Sequence, residues 1–437
     1  MANLWKIHLQ VKDEGYVQDL TLGLFRSDYM ANTPEDDSRP CLQQVEFNTI
    51  SSSFGGLAEK VARLHTDLAS CPSGLASIAY PPHALFNTSA SRESSKSAKI
   101  SSGIPEPNDA VKTLASGLLA AHEAYGQSQS TPSLPLCIIF LVQDGERNIF
   151  DQLAVSSHIQ STRPDVATFR LPTSQILTRT LIPSHTENPA RPLIYTAPNA
   201  SRFEVSLVYF RALYAPSEYN TSTSWAARHH LERSAAIKCP SILLQLAGSK
   251  KVQQVLTDPG TLEHFLPNHS ASVLAELRSS FAPQYSMSLG PDSEGVKIAL
   301  DPVRAQNHVL KPQREGGGNN IYRDAIPKFL AGLSEEQYKQ YILMELIRPP
   351  PDAKNVALRS DGEVVPGKVI SELGIFGTCL WRGGGGKDAE IMRNEEGGYL
   401  LRTKARDSDE GGVAAGFSSL DSVILFDEEA VEANGSV

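Results

Sequence analysis

The stretch Leu134-Pro-Leu-Cys-Ile-Ile-Phe-Leu-Val142 carries no charged side chain. A strand with one wet face alternates apolar and polar residues. A strand covered on both faces reads as one continuous apolar run, the mark of a parallel sheet. From here to residue 248 the chain alternates strand-like and helix-like runs. Phe203 to Arg211 (FEVSLVYFR) is a second strand, Ser224 to Ala236 a helix, and Ser241 to Leu246 closes the unit. Such alternation predicts an α/β fold with a doubly wound parallel sheet, set apart as a subdomain over residues 136–249.

The flanking regions read differently. Upstream, over residues 1–135, Leu20, Leu22 and Leu24 alternate in a strand that carries Arg26 and Asp28 at its end. Gln43 to Phe47 is a second strand, followed by a Ser-rich turn. Residues 84–108 are rich in Ser, Asn and Pro and read as a flexible loop. That loop leads into a helix, Asp109 to Tyr125, with Gly126 as its stop. Downstream, over residues 250–437, come the helix SKKVQQVL (249–256) and strands at Tyr341–Ile347, Val369–Leu380, Gly398–Lys404 and Val423–Phe426.

At about 150 residues per domain, 437 residues allow two or three domains. Apolar residues make up 41% and charged residues 20%, an ordinary globular balance. The net charge of −9 is spread along the chain, which argues against a nucleic-acid binder. Five cysteines (Cys41, Cys71, Cys137, Cys239 and Cys379) form no CxxC pair, so neither a disulfide framework nor a zinc site is indicated. That usage fits a reducing, cytoplasmic compartment. The N-terminus lacks a secretory pattern, and no apolar run reaches the ~18 residues of a membrane span.

The chemistry concentrates in three clusters. In Lys311-Pro-Gln-Arg-Glu315-Gly-Gly-Gly-Asn-Asn320, three glycines let backbone N–H groups approach a phosphate closely. Lys311 supplies positive charge, and Glu315 offers the oxygen ligands that Mg²⁺ prefers. Glu46 and Asn48 lie two apart on a strand and so share a face, a partial magnesium shell that Glu315 would complete. Arg402 and Lys404 likewise share a strand face and suit an anionic substrate. By contrast, Gly383-Gly-Gly-Gly-Lys-Asp388 lacks Walker spacing and reads as a hairpin tip. No GxSxG elbow supports hydrolase chemistry.

The segments QVEFNTISSSFGGL (44–57), ERNIFDQ (146–152), LERSAAIKCP (231–240), LAGSKKVQQ (246–254), KPQREGGGNNIY (311–322), ILMELI (342–347), SELGIFG (371–377) and LLRTKARDSDEGGVAAG (400–416) together resemble eukaryotic-type glutathione synthetase. The resemblance implies an ATP-grasp fold, in which 136–249 is the inserted substrate-binding subdomain and 250–437 the nucleotide-binding region with Gly-rich and Ala-rich lids. It implies ATP-dependent ligation of γ-glutamylcysteine to glycine through an acyl phosphate, with Mg²⁺, by a cytoplasmic homodimer with no membrane or nucleic-acid partner.

By the same resemblance, Glu46, Asn48 and Glu315 would hold the metal. Glu46, Lys250, Lys311, Glu315, Gly316, Gly317, Gly318, Asn319, Asn320, Tyr322, Lys404 and Glu410 would contact the nucleotide and its phosphates. Met344, Glu345, Leu346 and Ile347 would line the adenine slot, with Glu372 on the ribose. Ile50, Ser51, Ser52, Ser53, Glu146, Arg147, Asn148, Gln152, Arg211 and Tyr214 would hold γ-glutamylcysteine. Arg26, Arg402, Val413 and Ala414 would lie at the reacting end, with Arg26, Lys311 and Arg402 catalytic. Two departures stand out. Family members carry a long segment before the point where this chain begins, which makes a shortened, non-catalytic ATP- or peptide-binding paralogue the alternative reading. Leu213 stands where the family has Gly, which predicts a positive φ there. A ligase with another small acceptor amino acid is the third reading.

Overall fold

The computed structural model describes residues 1–34, 39–69, 106–184, 186–315, 318–358, 362–383, 389–407, 413 and 418–425. Most of the loop expected at 84–108 therefore lies outside the described residues. After an N-terminal helix, Ala2–Glu14, the chain lays down an antiparallel pair, β1 (Leu20–Asn32) and β2 (Cys41–Asn48). Leu20, Leu22 and Leu24 turn to the core as their alternation predicts.

The second sheet follows: β3 (Leu136–Val142), β4 (Ala167–Pro172), β5 (Thr180–Leu181), β6 (Ile194–Thr196), β7 (Arg202–Phe210) and β8 (Ile237–Cys239). Its order is β4-β3-β7-β6-β5, with β8 also on β7. Strands β4, β3, β7 and β8 run parallel, but β5 and β6 are antiparallel. The wholly parallel sheet expected from the sequence is thus corrected to a mixed one. Thr196 and Arg202 are too close in the chain for a parallel crossover, which needs a dozen residues or more. The apolar run of β3 is covered on both faces, as its lack of alternation requires. Ile138, Phe140 and Val142 pack with Leu20, Leu22 and Leu24 and with the helix Ala110–Tyr125. Cys137, Ile139 and Leu141 pack with Ile176, Ala227 and Leu231 on the other side.

A third, antiparallel sheet contains β9 (Gln284–Ser286), β10 (His308–Pro312), β11 (Ile321–Tyr322) and β12 (Tyr341–Glu345), in the order β11-β10-β12-β9. The chain then returns to the first sheet with β13 (Lys354–Leu358), β14 (Val364–Arg382), β15 (Glu390–Ala405) and β16 (Ser419–Asp421). The completed order is β16-β15-β14-β1-β2, with β13 on β14. The strand expected at Val423–Phe426 is not one over its described residues. The pairing partner of Leu401–Thr403 is Ser419–Asp421 instead.

The three sheets meet along β1 and β2. Lys311 Nζ donates to the Val45 carbonyl at 2.8 Å, and the Gln44 N–H to that of Ser280 at 2.6 Å, tying the third sheet to β2. Arg211, just past β7, donates to the Ser52 carbonyl at 2.7 Å, tying the second sheet to the turn after β2. The chemistry-bearing segments all converge on this junction.

Candidate active site

Cross-strand register builds a charged face on the first sheet. Glu46 of β2 lies opposite Asp28 of β1, and Asn48 opposite Arg26. Glu372 of β14 lies opposite Arg402 of β15, with Lys404 two residues further along. Directly opposed residues of an antiparallel pair share a face. Asp28, fully buried, is the centre of this face. Its Oδ1 accepts from Arg26 Nε at 2.6 Å, and its Oδ2 from Arg26 Nη2 at 2.8 Å. The same Oδ2 accepts from Asn48 Nδ2 and from Arg402 Nη2, each at 3.1 Å. Arg402 also pairs with Glu372. Burial raises the Glu372 pKa, with Arg402 opposing that shift.

At the β2 edge, Lys250 opens a helix, Lys250–Thr257, that points its ammonium at two carboxylates. Glu46 Oε2 lies 2.9 Å from Nζ and Glu315 Oε2 3.8 Å. Burial disfavours ionisation of Glu46, yet Lys250 and Lys311 together hold its carboxyl below the usual range. Glu315 goes the other way: burial raises its pKa, Lys250 lowers it, and Glu46 adds repulsion. Lys311 is pulled down to about 8 by burial and by Lys250, against Glu46.

The donor set suits a hard cation. Two carboxylates converge on one point where positive charge already sits. Asn48 spends its amide nitrogen on Asp28 and the Arg26 carbonyl, so its oxygen is the group it could give a metal. Among the described residues no cluster of three or more His, Cys, Asp and Glu could hold a metal on its own. A Mg²⁺ ion here would draw its remaining oxygens from phosphate and water, as Mg²⁺ commonly does.

The second sheet supplies a pocket wall. Ser51 (φ 53°) and Phe54 (φ 75°) bracket the triple-serine turn, which Asp151 clamps from across the site. Asp151 accepts from the Phe54 N–H at 2.9 Å and the Gly56 N–H at 2.8 Å. Arg211 Nη2 donates to Ser53 Oγ at 2.7 Å. Ser51 Oγ donates to the Phe210 carbonyl at 3.1 Å, and Ile50 is buried in the second core. Beside them, Glu146 accepts from the Asn148 N–H at 2.7 Å and from Gln152 Nε2 at 2.6 Å. Arg170 Nη1 holds the other end of Gln152 at 2.6 Å. Tyr214 OH accepts from Gln143 Nε2 at 3.1 Å, while Arg147 is exposed.

Leu213 does adopt a positive φ, 64°. Its N–H donates to Glu218 Oε1 at 2.9 Å, and its carbonyl accepts from Tyr219 OH at 2.9 Å and Gln245 Nε2 at 3.1 Å. Its side chain is buried in the second core. Replacing it with glycine would relieve roughly 1–2 kcal/mol of left-handed strain but forfeit a buried leucine worth about 2–5 kcal/mol. Leu213→Gly is therefore expected to destabilise the fold by about 1–3 kcal/mol, read as a lower denaturant midpoint.

The third sheet offers an apolar slot. Met344 packs with Val309 and Ala282, flanked by half-buried Tyr322, Leu346 and Ile347. Glu345 accepts from Tyr285 OH at 3.0 Å, and Asn320 Nδ2 donates to Tyr322 OH at 3.2 Å. Gly318 has φ 83° at the end of the glycine run, beside Asn319. Gly316, Gly317, Glu410 and Ala414 lie outside the described residues, whereas Val413 is a half-buried turn residue between β15 and β16. The structure thus gathers Arg26, Glu46, Asn48, Lys250, Lys311, Glu315, Glu372 and Arg402 at one junction. It adds three residues that sequence reasoning did not single out, Asp151, Arg170 and Gly374, and gives a place in the site to Asp28, which the sequence set beside Arg26 without a role. Asp28 was legible as the same-face neighbour of Arg26, and Gly374 as a strand-interior glycine.

Residues 1–425 match the family of eukaryotic glutathione synthase, ATP binding domain. The chain is 39% identical over 422 residues to glutathione synthetase of Mus musculus, covering 96% of this chain and 78% of the mouse protein. It is 36% identical over 440 residues to the glutathione synthetase large chain of Schizosaccharomyces pombe, covering 97% and 80%. Among solved structures, a glutathione synthetase-like effector from Globodera pallida in its apo form superposes with a TM-score of 0.67 at 20% identity, covering 97% of this chain and 80% of that one. That likeness speaks to the fold.

Proposed function

The chain belongs to the eukaryotic glutathione synthase family, and from that premise we propose that the charged face of its first sheet is where γ-glutamylcysteine and glycine are joined. The protein is an ATP-dependent ligase that makes glutathione. A carboxylate does not condense with an amine in water unactivated. In this reading the cysteinyl carboxylate oxygen attacks the γ-phosphorus of ATP, giving an acyl phosphate and ADP. The neutral amine of glycine then attacks the acyl carbon, loses a proton, and phosphate departs with the C–O bond electrons. What supports the reading is the convergence of Lys250, Lys311, Arg26 and Arg402 on one junction between the three sheets.

The proposed division of labour follows the geometry. Lys250 and Lys311 would receive the phosphates, with Lys404, Asn319, Asn320, Tyr322 and the glycine run around them. The slot at Met344–Ile347 would take adenine and Glu372 the ribose. Ser51–Ser53, Glu146, Asn148, Gln152, Arg211 and Tyr214 would hold the dipeptide. Arg26 and Arg402 would face the reacting carboxylate, next to Val413. Glu46, Asn48 and Glu315 would hold Mg²⁺, which would supply charge neutralisation on the phosphates. The ATP-grasp description of the fold, the three-part division at residues 135 and 249, the homodimer and the cytoplasmic location belong to the same proposal. No helix among the described residues is long and apolar enough to cross a membrane.

Acceptor choice tests the function directly. ADP release with γ-glutamylcysteine is expected to be strong with glycine and weak with β-alanine or serine. A folded protein releasing no ADP with any acceptor would contradict it. Lys311 gives a second test. Its pKa near 8 lies below that of a free lysine because burial disfavours the charge. The folded state then binds fewer protons than the unfolded, so this group's contribution to stability rises with pH between about 8 and 10.5. ATP phosphates would restore the charge. Binding at pH ~9 should therefore take up a proton, read by calorimetry in buffers of different ionisation enthalpy, and binding at pH ~6.5 should take up none at Lys311.

A further inference from the structure

Both oxygens of Asp28 are committed within the protein. Arg26 takes one edge of the carboxylate as a fork, and Asn48 and Arg402 share Oδ2. Fully buried and holding four hydrogen bonds from these three side chains, the carboxylate is engaged within the protein, which separates Asp28 from a direct role. Three side chains that it holds are nevertheless assigned to the reacting end or the metal. Arg26 spends three N–H groups, two on Asp28 and one on the Ser53 carbonyl at 3.1 Å. One N–H on each of Nη1 and Nη2 remains beyond these bonds, in the pattern that grips a carboxylate.

Space for this arrangement comes from β14. Gly374 lies opposite Asp28 in the register. A Cβ there would come 2.6 Å from Asp28 Oδ1 and 2.7 Å from Arg26 Cδ. Atoms do not approach so closely, so any larger residue must push the pair aside.

We propose that Asp28 is a positioning residue for the ligation: it locks Arg26, Arg402 and Asn48 into one unit before substrate arrives, in a space that Gly374 keeps open. The proposal rests on the assignment of Arg26 and Arg402 to the reacting carboxylate. Long guanidinium side chains lose much rotamer freedom when fixed, and Asp28 fixes two of them in the free protein. Displacing catalytic groups by about 1 Å can lower the rate ~100-fold.

The test compares Asp28→Asn, Arg26→Ala, Arg402→Ala and the double variant Asp28→Asn/Arg402→Ala by steady-state kinetics, with ATP affinity from calorimetry. Asp28→Asn keeps the shape but replaces one acceptor oxygen with a donor. It should lower kcat/KM for γ-glutamylcysteine ~100-fold while ATP affinity stays within about twofold. In the Arg402→Ala background the same change should cost less than about tenfold, because coupled residues are non-additive. A merely structural role would instead lower ATP affinity along with kcat/KM and multiply its kinetic effect in full in the Arg402→Ala background, which overturns the proposal. Should Asp28→Asn not fold, Gly374→Ala keeps every charge and should show the same selective loss; wild-type kcat/KM there overturns the proposal. If Arg26→Ala and Arg402→Ala fall while Asp28→Asn does not, the proposal fails and the site stands. If both arginine variants keep wild-type kcat/KM, the site assignment itself fails.

Discussion

Glu315→Gln is expected to reduce turnover about 100- to 1,000-fold, the range seen when one preorganised electrostatic group is lost, while the protein stays folded. The two halves have different causes. Glu315 sits among Glu46 and Lys250, and burial and Glu46 push its pKa up against the pull of Lys250. A carboxyl with a raised folded-state pKa binds extra protons in the folded state, so it subtracts stability as pH rises from the usual carboxylate range through that raised value. Glutamine keeps the shape and removes that burden. The melting temperature should hold or rise at pH 7, and the difference should shrink below pH 4. Loss of activity with retained or increased stability marks a residue kept for function rather than for folding. Near-normal turnover would remove Glu315 from the metal site.

Lys250→Met should do the opposite to stability. The ammonium is buried between Glu46 at 2.9 Å and Glu315 at 3.8 Å, which raise its pKa against burial. Methionine keeps much of the stem and leaves two carboxylates facing each other. Removing one partner of a buried pair costs about 3–5 kcal/mol, and both glutamates retain some exposure, so about 3 kcal/mol is expected here. The loss should shrink as pH falls and the carboxylates take up protons. Because the vacated point is where two oxygens converge, millimolar Mg²⁺ should recover part of the lost melting temperature. Turnover should not recover, since the phosphates lose a contact. A variant as stable as wild type at pH 7 would contradict this account of the cluster.

Much of this was legible in the chain. The unbroken β3 run announced a strand covered on both faces, and Leu20, Leu22 and Leu24 announced one with a single core face. Glu46 and Asn48, and Arg402 and Lys404, could be placed on shared faces from a spacing of two. What spacing could not give was which strands would be neighbours. Asp28 gains its importance from β14 and β15, more than 340 residues away in the chain, where Gly374 makes room and Arg402 reaches across. The antiparallel β5 and β6 were missed because their few residues carry no periodicity. The strand placed at Val423–Phe426 followed an apolar run, whereas pairing with Leu401–Thr403 selected Ser419–Asp421. Leu213 is the reverse case: its positive φ was legible, and burial explains why a leucine is tolerated there.

The most direct test of the site is a crystal structure of the protein soaked with a non-hydrolysable ATP analogue, Mg²⁺ and γ-glutamylcysteine. The account predicts phosphate oxygens on Lys250 and Lys311, the metal on Glu46, Asn48 and Glu315, and the cysteinyl carboxylate between Arg26 and Arg402. Phosphates bound away from this junction, at the glycine-rich stretch 383–388 for example, would contradict it.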